Sequence, residues 1–561
     1  MISFLGPYLI LLLKYLIFYG YIYLVGKFTF SMILKFTNQN KFPKRVLFMK
    51  IDYIYPLLGI IFIGNLLIIF NFFLPLEDSL YLFIILFLLS LFVLRNSDFD
   101  IKKHININSL FLYLIIPGIL VISSYDTSFN YDAGYYHLLH QNWLRESNLI
   151  IGTVNIFWPL GMSSIYEYLS AVLWFDTTFV LLHLLNIYFI HFLYLFLTGS
   201  LFNKESTDLM NISFVILIYS ILDNIGFGGG RNGFIYIQGV TKQDITVGIL
   251  FFFLSVVILK KIVDKKIEPH EVVVLSLIAF FIYEIKVSGV FIFFAYAVLN
   301  FYILRSNTLS LKKLFYLHIP TFFFAIIWFS KSLLTTGCLI FPVDITCLPI
   351  FDWYVPGSTY SYEYHTKLSS KAFDFSIPFS QWVSETGAFE FRKQVFLNFL
   401  VSLFSLITFR LFFFETGNKK NLIKLISFFY IFINVIYLFF FGPIPRYTIG
   451  ISLVIISMIG FYAGKPKFHI SNLFKYSLIF LSVSLLVRAS SYTSLLANTE
   501  LRIFDPRTSI EINQELGFVE ISDNWVTITE GDQCWANTKC IPSGEGVEFK
   551  ERGLFKVAYK P

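Results

Sequence analysis

Apolar stretches long enough to cross a lipid bilayer recur from one end of this sequence to the other, and no other feature constrains the fold as strongly. A spanning helix needs roughly 20 mainly apolar residues, because it rises about 1.5 Å per residue and must satisfy its own backbone hydrogen bonds inside the hydrocarbon. Such stretches lie at 3–26, 54–75, 79–95, 108–124, 177–199, 211–223, 244–260, 271–284, 289–304, 314–334, 395–414, 425–441, 447–463 and 473–489, about 14 spans in all. They are continuous runs, unlike the short alternating segments of a membrane barrel. Only 14% of the 561 residues are charged and the mean hydropathy is +0.70, values that a water-soluble domain does not reach. The expected fold class is an all-α polytopic membrane protein. Its first stretch, Ile2 to Val25, has no small-residue cleavage site and is as long as a full span, so it is expected to stay in the membrane.

The formal net charge of +7 does not form a basic domain. Lys and Arg fall in short clusters between the apolar runs, which argues against a nucleic-acid partner and reads as topology information. Lys27, Lys35, Lys41, Lys44, Arg45 and Lys50 follow the first span. Lys102 and Lys103, the group Lys260, Lys261, Lys265 and Lys266, then Lys312 and Lys313, Lys419, Lys420 and Lys424, and finally Lys465 and Lys467 all fall on the same side of the span list. By the positive-inside rule that side is cytoplasmic.

Everything irregular then falls on the opposite side: 125–163, the Gly-rich 224–243, the long loop 335–394, the short loop at Pro443 to Arg446, and the tail from about 490. Long loops on a rigid scaffold commonly carry binding and catalysis. The chain divides into additional spans at 1–104, a core at 105–334 with its first outer loop at 125–163, an extracytoplasmic loop at 335–394, further spans at 395–489 and an extracytoplasmic tail at 490–561. Thr527, Ile528 and Thr529, with polar turns at Asp532 and Ser543-Gly544, give that tail the pattern of a small β-containing cap. Cys338 and Cys347 share the long loop and Cys534 and Cys540 share the tail. Two short-range disulfides are expected in an oxidising outer compartment.

Asp132 stands where the chain leaves a span and starts a short amphipathic stretch, Tyr136-His137-Leu138-Leu139-His140. Two readings of it stand at this point: a helix cap satisfying backbone N–H groups, or a carboxylate held at the membrane boundary to take a proton or hold a metal. Beyond it come Glu146, Gly152, Trp158-Pro159-Leu160-Gly161 and Ser164-Ile165-Tyr166-Glu167-Tyr168. This order of features resembles the first outer loop of the GT-C glycosyltransferases, polytopic enzymes that take a sugar from a polyprenyl-phosphate carrier. The likeness runs on through Trp328-Phe329-Ser330-Lys331, Gly337-Cys338-Leu339-Ile340-Phe341-Pro342, Trp353 and Pro443-Ile444-Pro445-Arg446-Tyr447, over residues 105–450. In these features it resembles a bacterial branch grouped with surface-polysaccharide synthesis.

The resemblance implies that Asp132 is the catalytic residue, that the donor is a polyprenyl-phosphate-linked sugar, and that a glycan or lipid-linked acceptor meets it at the outer, periplasmic face of a bacterial cytoplasmic membrane. Many GT-C enzymes place a second acid beside the first, whereas Ala133 follows Asp132 here. That departure leaves a divalent metal with little to hold it, and no cofactor is assigned.

Three cations suit the phosphate of such a donor. Lys286 interrupts apolar sequence at Tyr283-Glu284-Ile285-Lys286, where a membrane lysine needs a partner; Glu284 or the interface would serve, and so would a lipid phosphate. Arg446, in its Pro-rich loop, offers a planar fork for the same phosphate or a simple interfacial anchor. Arg231, within Gly228-Gly229-Gly230-Arg231-Asn232-Gly233, is a third candidate in a loop flexible enough to admit a ligand. Asp244, after Lys242, reads as a helix-start acid or a second carboxylate of the site. His137 and His140 share a helix face by their spacing, and no third ligand is spaced with them for a metal. Along with Asp244 and Glu167 they are candidates to support the catalytic carboxylate or to meet the acceptor. No P-loop, dinucleotide fingerprint or zinc-type cysteine cluster occurs in the sequence. The expected activity is glycosyl transfer, the alternatives being a lipid-linked oligosaccharide flippase or transporter, or a polysaccharide polymerase.

Overall fold

The computed structural model of the chain describes residues 2–95, 107–384, 442–497 and 518–560, apart from short stretches within them of which 226–236 is the longest. It also describes Phe414–Thr416 and a few isolated positions between 385 and 441. Helices dominate. In chain order they are α1 (Ile2–Phe36), α2 (Ile51–Asn71), α3 (Leu80–Arg95), α4 (Asn108–Tyr125), the short α5 (Leu138–Glu146) and α6 (Ile165–Ala171), then α7 (Val180–Leu201), α8 (Thr207–Ile225), α9 (Asp244–Asp264), α10 (Pro269–Ile285), α11 (Val287–Arg305), α12 (Ile319–Thr336), α13 (Ile449–Tyr462) and α14 (Asn472–Leu486).

Eight helical segments among the described residues are long and apolar enough to cross a membrane: α1, α2, α4, α7, α8, α9, α11 and α12. They mark the chain as an integral membrane protein. Four more, α3, α10, α13 and α14, coincide with expected spans but run only 14 to 17 residues, which at about 1.5 Å per residue falls short of the roughly 30 Å hydrocarbon layer. The expected spans at 395–414 and 425–441 lie largely outside the described residues.

Burial sorts the helices into layers. Along α7 and α9 nearly every side chain is enclosed, whereas α3 turns Leu80, Tyr81, Leu88 and Phe92 outward, the arrangement of a helix facing lipid tails. Where α1 crosses α2 the backbones almost touch. A Cβ built on Gly26 would lie 1.6 Å from the Tyr55 carbonyl oxygen, and one on Gly59 2.0 Å from that of Ile22. Glycine is what permits this approach, and in lipid such close packing supplies much of the attraction between helices.

The bundle has two chemically distinct ends. At one, Arg45 reaches Asn203 at 3.1 Å, Lys261 pairs with Glu271 at 2.6 Å, Lys260 pairs with Asp264 at 2.6 Å, and Asn211 donates to the Gly464 carbonyl at 2.9 Å. The lysine-rich connections thus meet one another. At the other end the long connections interlock. The Ala558 amide donates to Ile151 O at 2.9 Å, and the Asn155 side-chain amide donates to the carbonyls of Trp353 at 3.0 Å and Ala558 at 2.8 Å. Arg552 and Tyr559 both bind Asp352. The tail therefore bridges the first and the long loop. It carries two antiparallel hairpins, Phe518–Ser522 with Trp525–Ile528 and Glu548–Arg552 with Phe555–Tyr559. Disulfides join Cys338 to Cys347 and Cys534 to Cys540.

Candidate functional site

At the loop-bearing end, three separate elements deliver charged side chains to the start of α9. Asp244 is the first residue of that helix and its side chain is only 3% exposed. Lys286 follows the last turn of α10 in extended backbone (φ −160°, ψ 133°), which frees its side chain from the helix direction, and its Nζ lies 2.6 Å from Asp244 Oδ1. A single turn at Pro445–Thr448 brings Arg446 Nε to 3.3 Å from Asp244 Oδ2, close enough for an ion pair though not aligned as a hydrogen bond. Two cations thus flank one enclosed carboxylate, and both stay partly open, Lys286 at 30% and Arg446 at 39%. Lys286 also sits 4.8 Å from the Tyr447 ring centroid, a cation–π distance.

Two residues before Asp244, Lys242 forms an ion pair with Asp132. Burial would raise the Asp132 carboxyl, but Lys242 beside it, together with His137 and Arg446, outweighs that and holds it below the usual carboxylate range. Burial pulls the Lys242 ammonium below its ordinary value even against Asp132. For Lys286 the balance goes the other way: burial opposes the charge, Asp244 wins, and the ammonium is raised.

Next to the ion pairs a narrow cleft opens between α9, α11 and α13, with Asp244 and Arg446 at its charged end and Val247, Phe251, Phe291 and Ile451 along it. Glycines give it depth. A Cβ on Gly248 would meet Ile449 Cγ2 at 2.6 Å, and one on Gly450 would meet the Gly248 carbonyl at 3.1 Å, so α9 and α13 approach through paired glycines.

Several expectations need correcting. Asp132 makes no capping hydrogen bond, so the cap reading fails: it stands in helical backbone (φ −61°, ψ −21°) before the wide turn Ala133–His137 and turns its carboxylate to Lys242. Asp244 is the helix-start acid expected of it, in the first turn of α9, although Gln243 holds the cap position itself. Lys286 pairs with Asp244 and not with Glu284, whose carboxylate instead accepts from Asn65 Nδ2 at 3.3 Å. His137 and His140 do share a face, and they spend it on one carboxylate: His137 Nδ1 lies 2.6 Å from Glu167 Oε1, and His140 Nδ1 binds Oε2. Glu167 also closes a capping box by accepting from the Ser164 amide at 3.3 Å. Burial would raise the Glu167 carboxyl, but the two imidazoles outweigh it and bring it down to about 2. Arg231 lies outside the described residues. Among the described residues no group of three or more His, Cys, Asp or Glu side chains is disposed to hold a metal ion.

Two residues gained a place that sequence reasoning had not assigned. Lys242 partners Asp132, and Lys331, buried in α12, donates to Ser163 Oγ at 3.0 Å while lying 3.9 Å from the Trp328 ring centroid. The available signal was charge sense. Both are cations at the end of the bundle that the positive-inside rule leaves poor in Lys and Arg, where a cation needs a specific reason to stay.

The tail covers this region. Trp535 N donates to Gly134 O at 2.9 Å and Gln533 Nε2 to Tyr131 O at 3.1 Å, so the Cys534–Cys540 loop sits on the turn that follows Asp132.

Fold and site together define a polytopic α-helical membrane protein with a charge cluster at the mouth of an apolar cleft, on the end where its loops gather. The chain belongs to a family described as "Domain of unknown function (DUF8201)", whose model matches residues 8–453. That span contains Asp132, Lys242, Asp244, Lys286 and Arg446 and stops before the tail. No curated protein and no solved structure matches the chain.

Proposed function

We propose that this protein is a membrane-embedded glycosyltransferase of the GT-C kind, with about 14 spans, which moves a sugar from a polyprenyl-phosphate-linked donor to an acceptor hydroxyl in surface glycan synthesis. The loop-bearing end is then the periplasmic face of a bacterial cytoplasmic membrane. The observation that carries the reading is the cleft: its charged end holds Arg446 beside Lys286 and its walls are apolar. A lipid phosphate has that same division, an anionic head on an apolar chain. Of the five ion-paired side chains, three are cations and two are carboxylates, so one positive charge is left for the ligand.

The chemistry follows from these side chains. As the bond from the anomeric carbon to the phosphate oxygen breaks, the electron pair leaves on the phosphate, where Lys286 and Arg446 offset the growing negative charge. The acceptor oxygen bonds to the anomeric carbon and gives its proton to Asp132, which Lys242 keeps ionised and oriented. A second carboxylate as general acid is unnecessary, because phosphate is already a good leaving group. Asp244 positions the two cations.

The test is transfer in proteoliposomes carrying the purified chain, radiolabelled polyprenyl-phosphate sugars and membrane glycan acceptors. The expected result is a labelled covalent product whose rate of formation Asp132→Asn lowers by roughly 10²–10⁴-fold. Labelled carrier crossing the bilayer with no covalent product would instead make the chain a flippase.

A further inference from the structure

The long outer loop carries exposed apolar side chains where a loop bathed in water would carry polar ones. It opens on a hairpin closed by the Cys338–Cys347 disulfide, in which the Leu339 amide donates to Thr346 O at 3.1 Å and the Leu348 amide to Gly337 O at 2.8 Å. Leu339, Ile345, Leu348 and Ile350 turn outward from it, Ile345 at 92% and Ile350 at 71% exposed. Asp344 is the only charged residue between Gly337 and Phe351.

The helix Ser358–Ser370 repeats the pattern. Its inner face is fixed by buried Thr359 and Ser370 and by Tyr362, whose ring stacks on Trp158 at 5.5 Å. On the outer face Tyr360, Tyr364 and Leu368 follow one another at four-residue spacing, which sets them in one row, and each is more than half exposed. Hairpin and helix are joined, since the Asp344 amide donates to Glu363 Oε2 at 2.8 Å and the Phe341 and Tyr362 rings lie 6.0 Å apart. Apolar side chains exposed singly are ordinary on a protein surface, but a row on a helix beside a group on an attached hairpin marks an interaction surface.

What covers this surface follows from where the loop begins. α12 is a spanning helix, and the exposed Ile319, Phe322, Phe323 and Ile326 form the face it turns to lipid. Gly337, in left-handed backbone, ends that helix. At 3.6 residues per turn Gly337 falls in line with Ile319, about five turns further on. The hairpin therefore leaves α12 at the membrane boundary and on the lipid-facing side, so its exposed side chains continue a surface already turned to lipid.

We propose that the hairpin 338–350 and the helix 358–370 are an interfacial anchor, seated in the bilayer leaflet at the loop-bearing end. The aliphatic side chains of the hairpin enter the upper acyl region, and Tyr360 and Tyr364 lie at headgroup level, where a ring with one polar end is at home. Lys367, exposed three residues after Tyr364, suits the phosphate level, as lysines at membrane interfaces do. Through the Tyr362–Trp158 stack the anchor also holds the first outer loop against the membrane. The partner is lipid, and the assignment does not depend on the transferase reading.

The test uses the full-length chain in nanodiscs of phosphatidylcholine and phosphatidylglycerol. Ile350→Cys, Tyr360→Cys and Glu551→Cys are each labelled with the environment-sensitive dye NBD without reductant, which leaves the two disulfide-bonded pairs unreacted. All three positions are exposed, so the labels need no repacking, and Glu551, in a tail hairpin, is the aqueous reference. The labels replacing Ile350 and Tyr360 are expected to emit to the blue of the reference. They should also lose at least about half of their fluorescence to phosphatidylcholine carrying a nitroxide high on its acyl chain, because an interfacial helix seats its apolar face roughly 5–10 Å into that boundary. The reference label should lose none. Equal quenching at all three positions overturns the proposal. Blue-shifted emission that the nitroxide lipid does not quench would put another protein surface over the patch, and overturns it too.

Discussion

Asp244 and Lys286, 42 residues apart in the chain, meet at 2.6 Å on the loop-bearing end of the bundle, and Arg446 closes on the other oxygen of the same carboxylate at 3.3 Å. The start of α9, the end of α10 and the turn before α13 are thereby tied together at one enclosed negative charge. Removing one member of such a buried cluster leaves the others uncompensated and costs about 3 kcal/mol or more. Asp244→Ala is therefore expected to lower the unfolding temperature in detergent clearly. Adding Lys286→Met is expected to recover part of the loss, with a coupling of about 1 kcal/mol or more. Additive effects in that double-mutant cycle would show that the contact contributes nothing.

Asp132 and Lys242 make a separable prediction. With Lys242 in place, the Asp132 carboxyl lies below the usual carboxylate range, so the proposed transfer, with Asp132 as its base, should not lose that base between pH 5 and 8. Lys242→Met removes the main cation that lowers it and leaves burial, which raises it, opposed only by His137 and Arg446. The acid limb of the pH–rate profile should then move toward neutrality. Asp132→Asn should lower the rate by roughly 10²–10⁴-fold at every pH. An acid limb that stays in place in Lys242→Met would show that Asp132 is not the group titrating.

Glu167 gives the fold an acid sensitivity. Its carboxyl falls from an ordinary value of 4.5 to about 2 through His140 and His137. Because the folded value is the lower one, the stabilisation is complete above about pH 4.5 and is lost as the pH falls toward 2. Thermal unfolding in detergent should show a midpoint that drops across this window. In Glu167→Gln the midpoint should be lower at neutral pH, by a loss of about 3 kcal/mol, and flatter in acid.

The docking of the tail can be tested at one atom. A Cβ on Gly134 would come within 2.6 Å of Trp535 Cε2 and 2.8 Å of Gln533 Oε1. Gly134→Ala should push the Cys534–Cys540 loop off the turn after Asp132, cost about 1–3 kcal/mol as an overpacked contact does, and speed proteolytic cleavage of the tail. Equal cleavage rates in variant and wild type would mean that the loop does not rest there.

Alkylation of the unfolded chain without reductant should add no mass, and with reductant should add four groups, since both cysteine pairs are bonded. Mass gained without reductant would show free thiols.

The pattern of the sequence made the helices legible, because a bilayer demands a continuous apolar run and such runs cannot be hidden. The lysine clusters also told which connections share an end, and the contacts of Arg45, Lys261 and Gly464 agree, while Lys102, Lys103, Lys419, Lys420 and Lys424 lie outside the described residues. The site was legible only as a set of suspects. Asp132 looked like a cap because the start of a short helix follows it, yet its charge goes to Lys242 on a segment 110 residues away. Glu284 looked like the partner of Lys286 by proximity in sequence. Two positions apart on either side of a helix end, the pair point apart, and Glu284 turns inward to Asn65. His137 and His140 were readable as one face, but not as two ligands of the single carboxylate of Glu167.

The sequence by itself determined the solvent this chain lives in and the run of helices that crosses it, since hydrophobic length is a local property of the chain. It also placed the cations that break the charge rule at the loop-bearing end. Only the tertiary structure decided which carboxylate each cation meets, that the glycines of α9 and α13 leave a cleft beside Asp244, and that Asn71 Oδ1 and Trp143 Nε1 are enclosed without a hydrogen-bond partner. Ion pairs, clefts and unmet hydrogen bonds are relations between segments distant in the chain, and packing fixes them where no local pattern can record them.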